Sequence, residues 1–195
     1  MQYQAAKDFI LNKLEKELSP DLTYHGVHHT LEVLEKVEEI ALFEGGLNDY
    51  EMELLKVAAL YHDSGFTEGM DEHEKRGVSI CERHLPSYGY GPDEIHIIAG
   101  MIMATKIPQS PKNKLEQIIC DADLDYLGRE DFYDIGDTLY EELKSFGILK
   151  TKDEWNKIQV SFLSKHAYHT ETNIVRRSSK KDAYLQELRI SLPDM

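Results

Sequence analysis

The stretch VHHTLEVLEKVEEIALFEGG, Val27 to Gly46, decides the fold. Val33, Leu34, Val37, Ile40 and Ala41 recur at the spacing of one helix face, and charged residues fill most of the rest. The period predicts a helix from about His28 to Phe43, ended by Gly45-Gly46. His29 lies four positions before Val33 and eight before Val37, so it carries the buried stripe into the first turn. His28 lies about a hundred degrees round the helix and reads as a residue behind the site or exposed. His25 precedes the helix, in a loop or entry turn.

The same period recurs along the chain. A first helix around Phe9, Ile10 and Leu14 stops at Ser19-Pro20. Others are expected from about Asn48 to His62, Asp71 to Leu85 (opened by the cap-like DEHE), Pro92 to Thr105, Lys114 to Leu127 and Glu130 to Phe146. TKDE, Thr151 to Glu154, is a capping box for an eighth helix. A last amphipathic stretch runs from about Asn173 to Leu192. No strand alternation, internal repeat or low-complexity segment interrupts this pattern. The expectation is one all-α domain over 1–195, a single helical bundle, with the segments after Gly128 packed onto the first six helices.

Composition bounds the function. The 195 residues have an ordinary hydrophobic share of 41% and a net charge of −14, from 22 basic and 36 acidic side chains. So acidic a chain is a poor partner for nucleic acid polymers. It still admits a small phosphorylated substrate if bound metal supplies positive charge. Cys81 and Cys120 fall in apolar-periodic segments and read as reduced, buried thiols. The N-terminus lacks a signal-peptide pattern and no stretch reaches the length of a membrane span, so the cytoplasm is the expected compartment and no membrane partner is expected.

Two further stretches bear on chemistry. In AALYHDSGF, Ala58 to Phe66, His62 follows Ala58 by four and Leu55 by seven, again on an apolar face, and Asp63 follows Ala59 by four. An unpaired Asp at such a buried end costs several kcal/mol, roughly, so a cationic neighbour is expected. In IICDADLDYLG, Ile118 to Gly128, Asp123 shares a stripe with Leu115, Ile119 and Leu127, whereas Asp121 follows Lys114 and Gln117 and is expected to face solvent. Three helices thus offer inward-facing polar groups: His29, His62 with Asp63, and Asp123. Two imidazoles and two carboxylates make a first coordination sphere for a divalent metal. The alternative for each histidine taken alone is a satisfied core residue.

This ordered set, His29, then His62-Asp63, then Asp123, with YHGVHHTLEV and DADLDYLG around it, resembles the HD superfamily of metal-dependent phosphohydrolases over roughly 22–128. The segment FLSKHAYHTET, beyond Gly128, looks like extensions in uncharacterised bacterial members, and implies no activity. The resemblance implies a helical domain holding one or two divalent metals (Mn, Mg, Fe, Co, Ni or Zn) and hydrolysing phosphate esters, often nucleotides. His29, His62, Asp63 and Asp123 would be the ligands, and Asp63 or Asp123 would also orient the attacking water. Tyr24-His25 stands where the superfamily's cyclic-nucleotide phosphodiesterases carry a Tyr-His whose histidine protonates the leaving oxygen, so His25 and Asp63 are the catalytic candidates; Gly26 replaces an Asn of those enzymes. His73, in HEKRG, matches a histidine of two-metal members and marks a weak second site, the alternative being a helix-start histidine without a ligand role. Ala104-Thr105 stand where such members carry a further histidine, and His96 comes two turns early, which favours one tightly held metal.

Phe66 occupies the place of a lysine common in the superfamily. Lys75, Arg76 and Lys106 are candidates to replace that charge, and RRSSKK, Arg176 to Lys181, either reaches over the site or faces solvent. His166 and His169 read as packing or surface residues. The expected partner is a small phosphorylated substrate, a nucleotide by the resemblance, and Leu- and Ile-rich faces leave room for a homodimer. Rival readings are a regulatory binder that turns nothing over, a di-iron oxygenase, and a helical scaffold with coincidental histidines.

Overall fold

In a computed structural model that describes residues 1–192, the apolar stripes close into nine α-helices and three short 3-10 turns, with no strand among the described residues. The helices are α1 (Tyr3–Glu17), α2 (Val27–Glu44), α3 (Asp49–Tyr61), α4 (His73–His84), α5 (Pro92–Ala104), α6 (Lys114–Asp123), α7 (Phe132–Ser145), α8 (Lys152–Leu163) and α9 (Glu171–Ser191). The last three residues of the expected 129–195 extension lie outside the described ones. No described helix is long and apolar enough to cross a membrane.

Local chemistry sets several helix ends. Asn48 caps α3 in a capping box with Glu51, and Thr151 caps α8 with Glu154. Pro92 opens α5, and Gly45, in the left-handed region, closes α2. Of the ends that depart from the sequence expectation, two border the convergence of the histidines. α4 starts at His73 rather than Asp71, after Glu72 at φ 52°. Its first turn sits against Gly65, where any Cβ would overlap the His73 carbonyl. α6 ends at Asp123 rather than Leu127, and Asp125–Gly128 form a 3-10 turn. There α9 approaches so closely that a Cβ on Gly128 would overlap the Arg177 backbone.

The apolar side chains form two clusters. The larger joins stripes of α1 to α6, with Ile10, Val37, Leu54, Leu55, Ile98 and Ile119 buried in it. The smaller gathers Leu127, Phe132, Val160, Leu163, Tyr184 and Leu188 from the Asp125–Gly128 turn and α7 to α9. α9 packs on that turn, on α8 and on α2. Tyr24 belongs to the second cluster, yet its ring lies 4.7 Å from that of His29 on α2. The histidines therefore sit at the seam between the two clusters, where polar groups meet from both sides.

Candidate metal centre and catalytic cavity

α2, α3 and α6 converge at that seam. His29, 5% exposed, projects from the first turn of α2, and His62, 1% exposed, ends α3. The Nδ1–H of His62 donates to the Ala59 carbonyl at 2.8 Å, which leaves Nε2 to face the centre. His62 Nε2 lies 3.4 Å from His29 Nε2, 3.0 Å from Asp63 Oδ2 and 3.7 Å from Asp123 Oδ1. His29 Nε2 lies 3.1 Å from Asp123 Oδ1 and 3.5 Å from Asp63 Oδ2. His29, His62 and Asp123 each offer a ligand atom within 4.8 Å of the others. The four residues that periodicity turned inward are therefore brought together.

Whether a cation fits can be tested on the polar atoms. Asp63 Oδ2 is buried and has no hydrogen-bond partner among the described residues. Its 3.0 Å approach to His62 Nε2 is no hydrogen bond from a neutral ring, because the ring proton is already on Nδ1. Two imidazole nitrogens and two carboxylate oxygens thus crowd one buried place. Such a set calls for positive charge, from a divalent cation or from an added proton on His62. Burial alone would depress the His62 pKa, but Asp63 and Asp123 outweigh it and raise it well above its usual value. Burial alone would raise the carboxylates; instead the imidazoles hold Asp63 well below its ordinary range and bring Asp123 down to about 2. The donor set, two nitrogens and two carboxylate oxygens, suits a divalent transition metal.

His25 lies on the wall of the adjoining cavity, and its position is set by a residue that periodicity passed over. Glu142, fully buried on α7, meets His25 Nδ1 at 2.5 Å through Oε1. Its Oε2 accepts the backbone N–H groups of Tyr24 at 2.8 Å and His25 at 3.0 Å. Burial pulls the His25 pKa down, but the Glu142 hydrogen bond, with Asp63 and Asp123 nearby, leaves it raised. A signal was present: Glu142 follows Leu139 by three and Ile135 by seven, which puts a carboxylate on the apolar stripe of its helix.

Phe66 fills its place as a spacer. Its ring stacks on His25 at 4.3 Å and on His73 at 4.1 Å between centroids. His73 Nε2 is 3.5 Å from Asp63 Oδ1 and 3.5 Å from Glu74 Oε1. Glu74, buried in the first turn of α4, is a second carboxylate that periodicity did not single out. Thr105 lines the cavity, with its hydroxyl donating to the Ile102 carbonyl at 2.8 Å.

Other residues fall elsewhere. Asp121 does not face solvent: it is fully buried and accepts from His169 N, Thr170 N and Thr170 Oγ1 at 2.9, 2.8 and 2.6 Å. The N-terminus of α9 lands on it, a tertiary contact that its own helix does not reveal. Asp125, 2% exposed, accepts from Asn173 Nδ2 and from Arg177 Nε and Nη2. The basic run splits: Arg176 pairs with Glu39, Arg177 with Asp125, Lys180 with Glu130, and Lys181 donates to the His166 carbonyl. Among the described residues no Lys or Arg lines the cavity, and neither that run nor Lys75, Arg76 or Lys106 stands in its wall. His28 and His96 are exposed. His166 stacks beside Phe162, and the His169 amide serves Asp121.

The family model of the HD domain matches residues 26–125, a span that contains His29, His62, Asp63 and Asp123. The crystal structure of a predicted HD superfamily hydrolase from an uncultured Thermotogales bacterium is 21% identical, with a TM-score of 0.60 over 96% of this chain and 91% of that one. At that coverage the shared fold takes in α7 to α9 as well as the matched span. No curated protein matches the chain. With its doublet on the end of α3 and its partner carboxylate on the end of α6, the chain belongs to the HD-domain family.

Proposed function

We propose that this protein is a metal-dependent phosphohydrolase that cleaves a small phosphate ester of about nucleotide size. The observation that carries the reading is the convergence of His29 Nε2, His62 Nε2, Asp63 Oδ2 and Asp123 Oδ1 beside a cavity that contains His25. Those four residues would hold the cation. When bound, it lowers the pKa of water from about 16 toward 7 and offsets phosphoryl charge.

The chain's own groups do the rest. Glu142 accepts from His25 Nδ1–H, so in the doubly protonated ring Nε2–H is the proton that can pass to the leaving oxygen. The raised His25 pKa favours that protonated form more than an ordinary imidazole would. Asp63 or Asp123 would orient the attacking water. Phe66 stacks on His25 and limits its tilt. Asp63 Oδ1 and Glu74 near His73 favour a weaker second cation position there.

The test is a screen of nucleotides and other phosphate esters with Mn, Mg, Co, Ni and Fe supplied separately, run beside Asp63→Ala. Turnover of at least one ester by the parent and none by the variant is expected; activity that survives Asp63→Ala would contradict the site. Metal binding with no turnover of any ester would favour the regulatory binder instead.

A further inference from the structure

The catalytic cavity does not end at the histidines. It continues, at about 270 Å³ in all, between α7 and α8. Its titratable lining groups, Tyr24, His25, Asp63, His73, Glu74, Asp123 and Tyr126, cluster at the metal end. The far part is lined by Leu139, Leu143, Trp155, Ile158, Phe162 and Leu163, with Gln159 as its one amide. Trp155 is 4% exposed, and its indole N–H has no hydrogen-bond partner among the described residues. The Trp155 indole nitrogen is itself closed off from the chamber, so the ring offers it apolar surface.

We infer that this chamber receives the alcohol part of the substrate, and that this part is uncharged and largely apolar. The inference rests on the phosphohydrolase reading and narrows it: the preferred ester has one phosphate and an apolar alkyl or aryl alcohol. A second phosphate or a carboxylate placed between α7 and α8 would lose its hydration and meet no Lys or Arg. A polyphosphate is therefore disfavoured by the same wall that favours an apolar group. Because α7 and α8 lie outside the matched 26–125 span, selectivity resides in the extension while the ligands reside in the core.

Trp155 is the chain's only tryptophan, so its emission reports occupancy of the chamber directly. The full-length protein, with and without chelator, is titrated with hexyl phosphate, 1-hexanol, glycerol 3-phosphate and ATP. We expect a saturable emission change with hexyl phosphate at least tenfold tighter than with glycerol 3-phosphate or ATP, and a weaker one with hexanol. Ile158→Glu, on the outer wall and 44% exposed in the parent, should weaken hexyl phosphate at least tenfold with no loss of thermal midpoint. Leu143→Glu, from the α7 wall, should do the same. Equal or tighter binding of glycerol 3-phosphate or ATP, no emission change with hexyl phosphate, or binding untouched by both variants would overturn the inference. Hexanol binding in a protein that hydrolyses no ester would leave the chamber intact and remove only the phosphohydrolase reading.

Discussion

Glu142 holds His25 across 117 positions of sequence: one carboxylate accepts the ring and two successive backbone N–H groups of the loop that enters α2. A buried carboxylate with three donors from one segment fixes both where the imidazole sits and which ring nitrogen faces the cavity. Glu142→Gln keeps the shape but weakens that hold. Turnover should fall about 10- to 100-fold while metal content stays at the parent level. The variant should also lose about 1–3 kcal/mol of stability, read by denaturant unfolding. Unchanged turnover would mean that His25 gives no proton to the leaving group.

The same pair predicts a pH profile. His25 has its pKa raised above 6.5 in the folded chain, so the proton-donor form persists at low pH and is lost as pH rises through the folded value. The alkaline limb of kcat should therefore lie above that of an ordinary imidazole, and should move to lower pH in Glu142→Gln. A purely structural role for Glu142 would lower activity without moving the limb. Stability follows by linkage. The His25 share is complete below about 6.5 and fades as pH rises past its folded pKa; the Glu142 share is complete above about 4.5 and fades as pH falls past its depressed pKa.

At the ligand cluster, the unpartnered Asp63 Oδ2 predicts metal-linked stability. A cation that binds only the folded chain at a hundred times its Kd adds about 2.7 kcal/mol. Divalent metal should raise the thermal midpoint of the parent, and chelation should reverse it. In Asp63→Ala the rise should vanish together with stoichiometric metal content. A full midpoint rise in that variant, measured by calorimetry with metal analysis alongside, would place the cation elsewhere.

How far these features were legible depends on what holds each one. α2, α3, α5 and α8 read well because Gly45, Asn48, Pro92 and Thr151 are local signals that act within a turn. His29, His62 and Asp123 were legible because helical periodicity alone turns them inward. Asp121 was misplaced for the same reason: its neighbours Lys114 and Gln117 are polar, and only the arrival of Thr170 and α9 buries it. The early end of α6 likewise answers to Arg177 and Asn173, fifty residues on. Glu142 was hidden differently. Its place on an apolar stripe is visible, but nothing local names the loop it serves.

Those late contacts lead to a last prediction. Asp121 and Asp125 flank Asp123, a proposed ligand, and both are held by α9 or the residues just before it: Asp121 by Thr170, Asp125 by Asn173 and Arg177. The Asp123 carboxylate therefore stands on a segment clamped at both sides by the extension. Arg177→Ala removes a paired guanidinium from a carboxylate that is 2% exposed, at a cost of about 3 kcal/mol. If the clamp positions Asp123, metal affinity should also fall, about 10- to 100-fold, in protein that remains folded at low temperature. Arg176→Ala, one residue earlier, breaks only an exposed pair with Glu39 and should cost less than about 1 kcal/mol with metal affinity intact. Isothermal titration of both variants with the same cation separates the cases: equal affinities would mean that the extension stabilises the chain without shaping the metal centre.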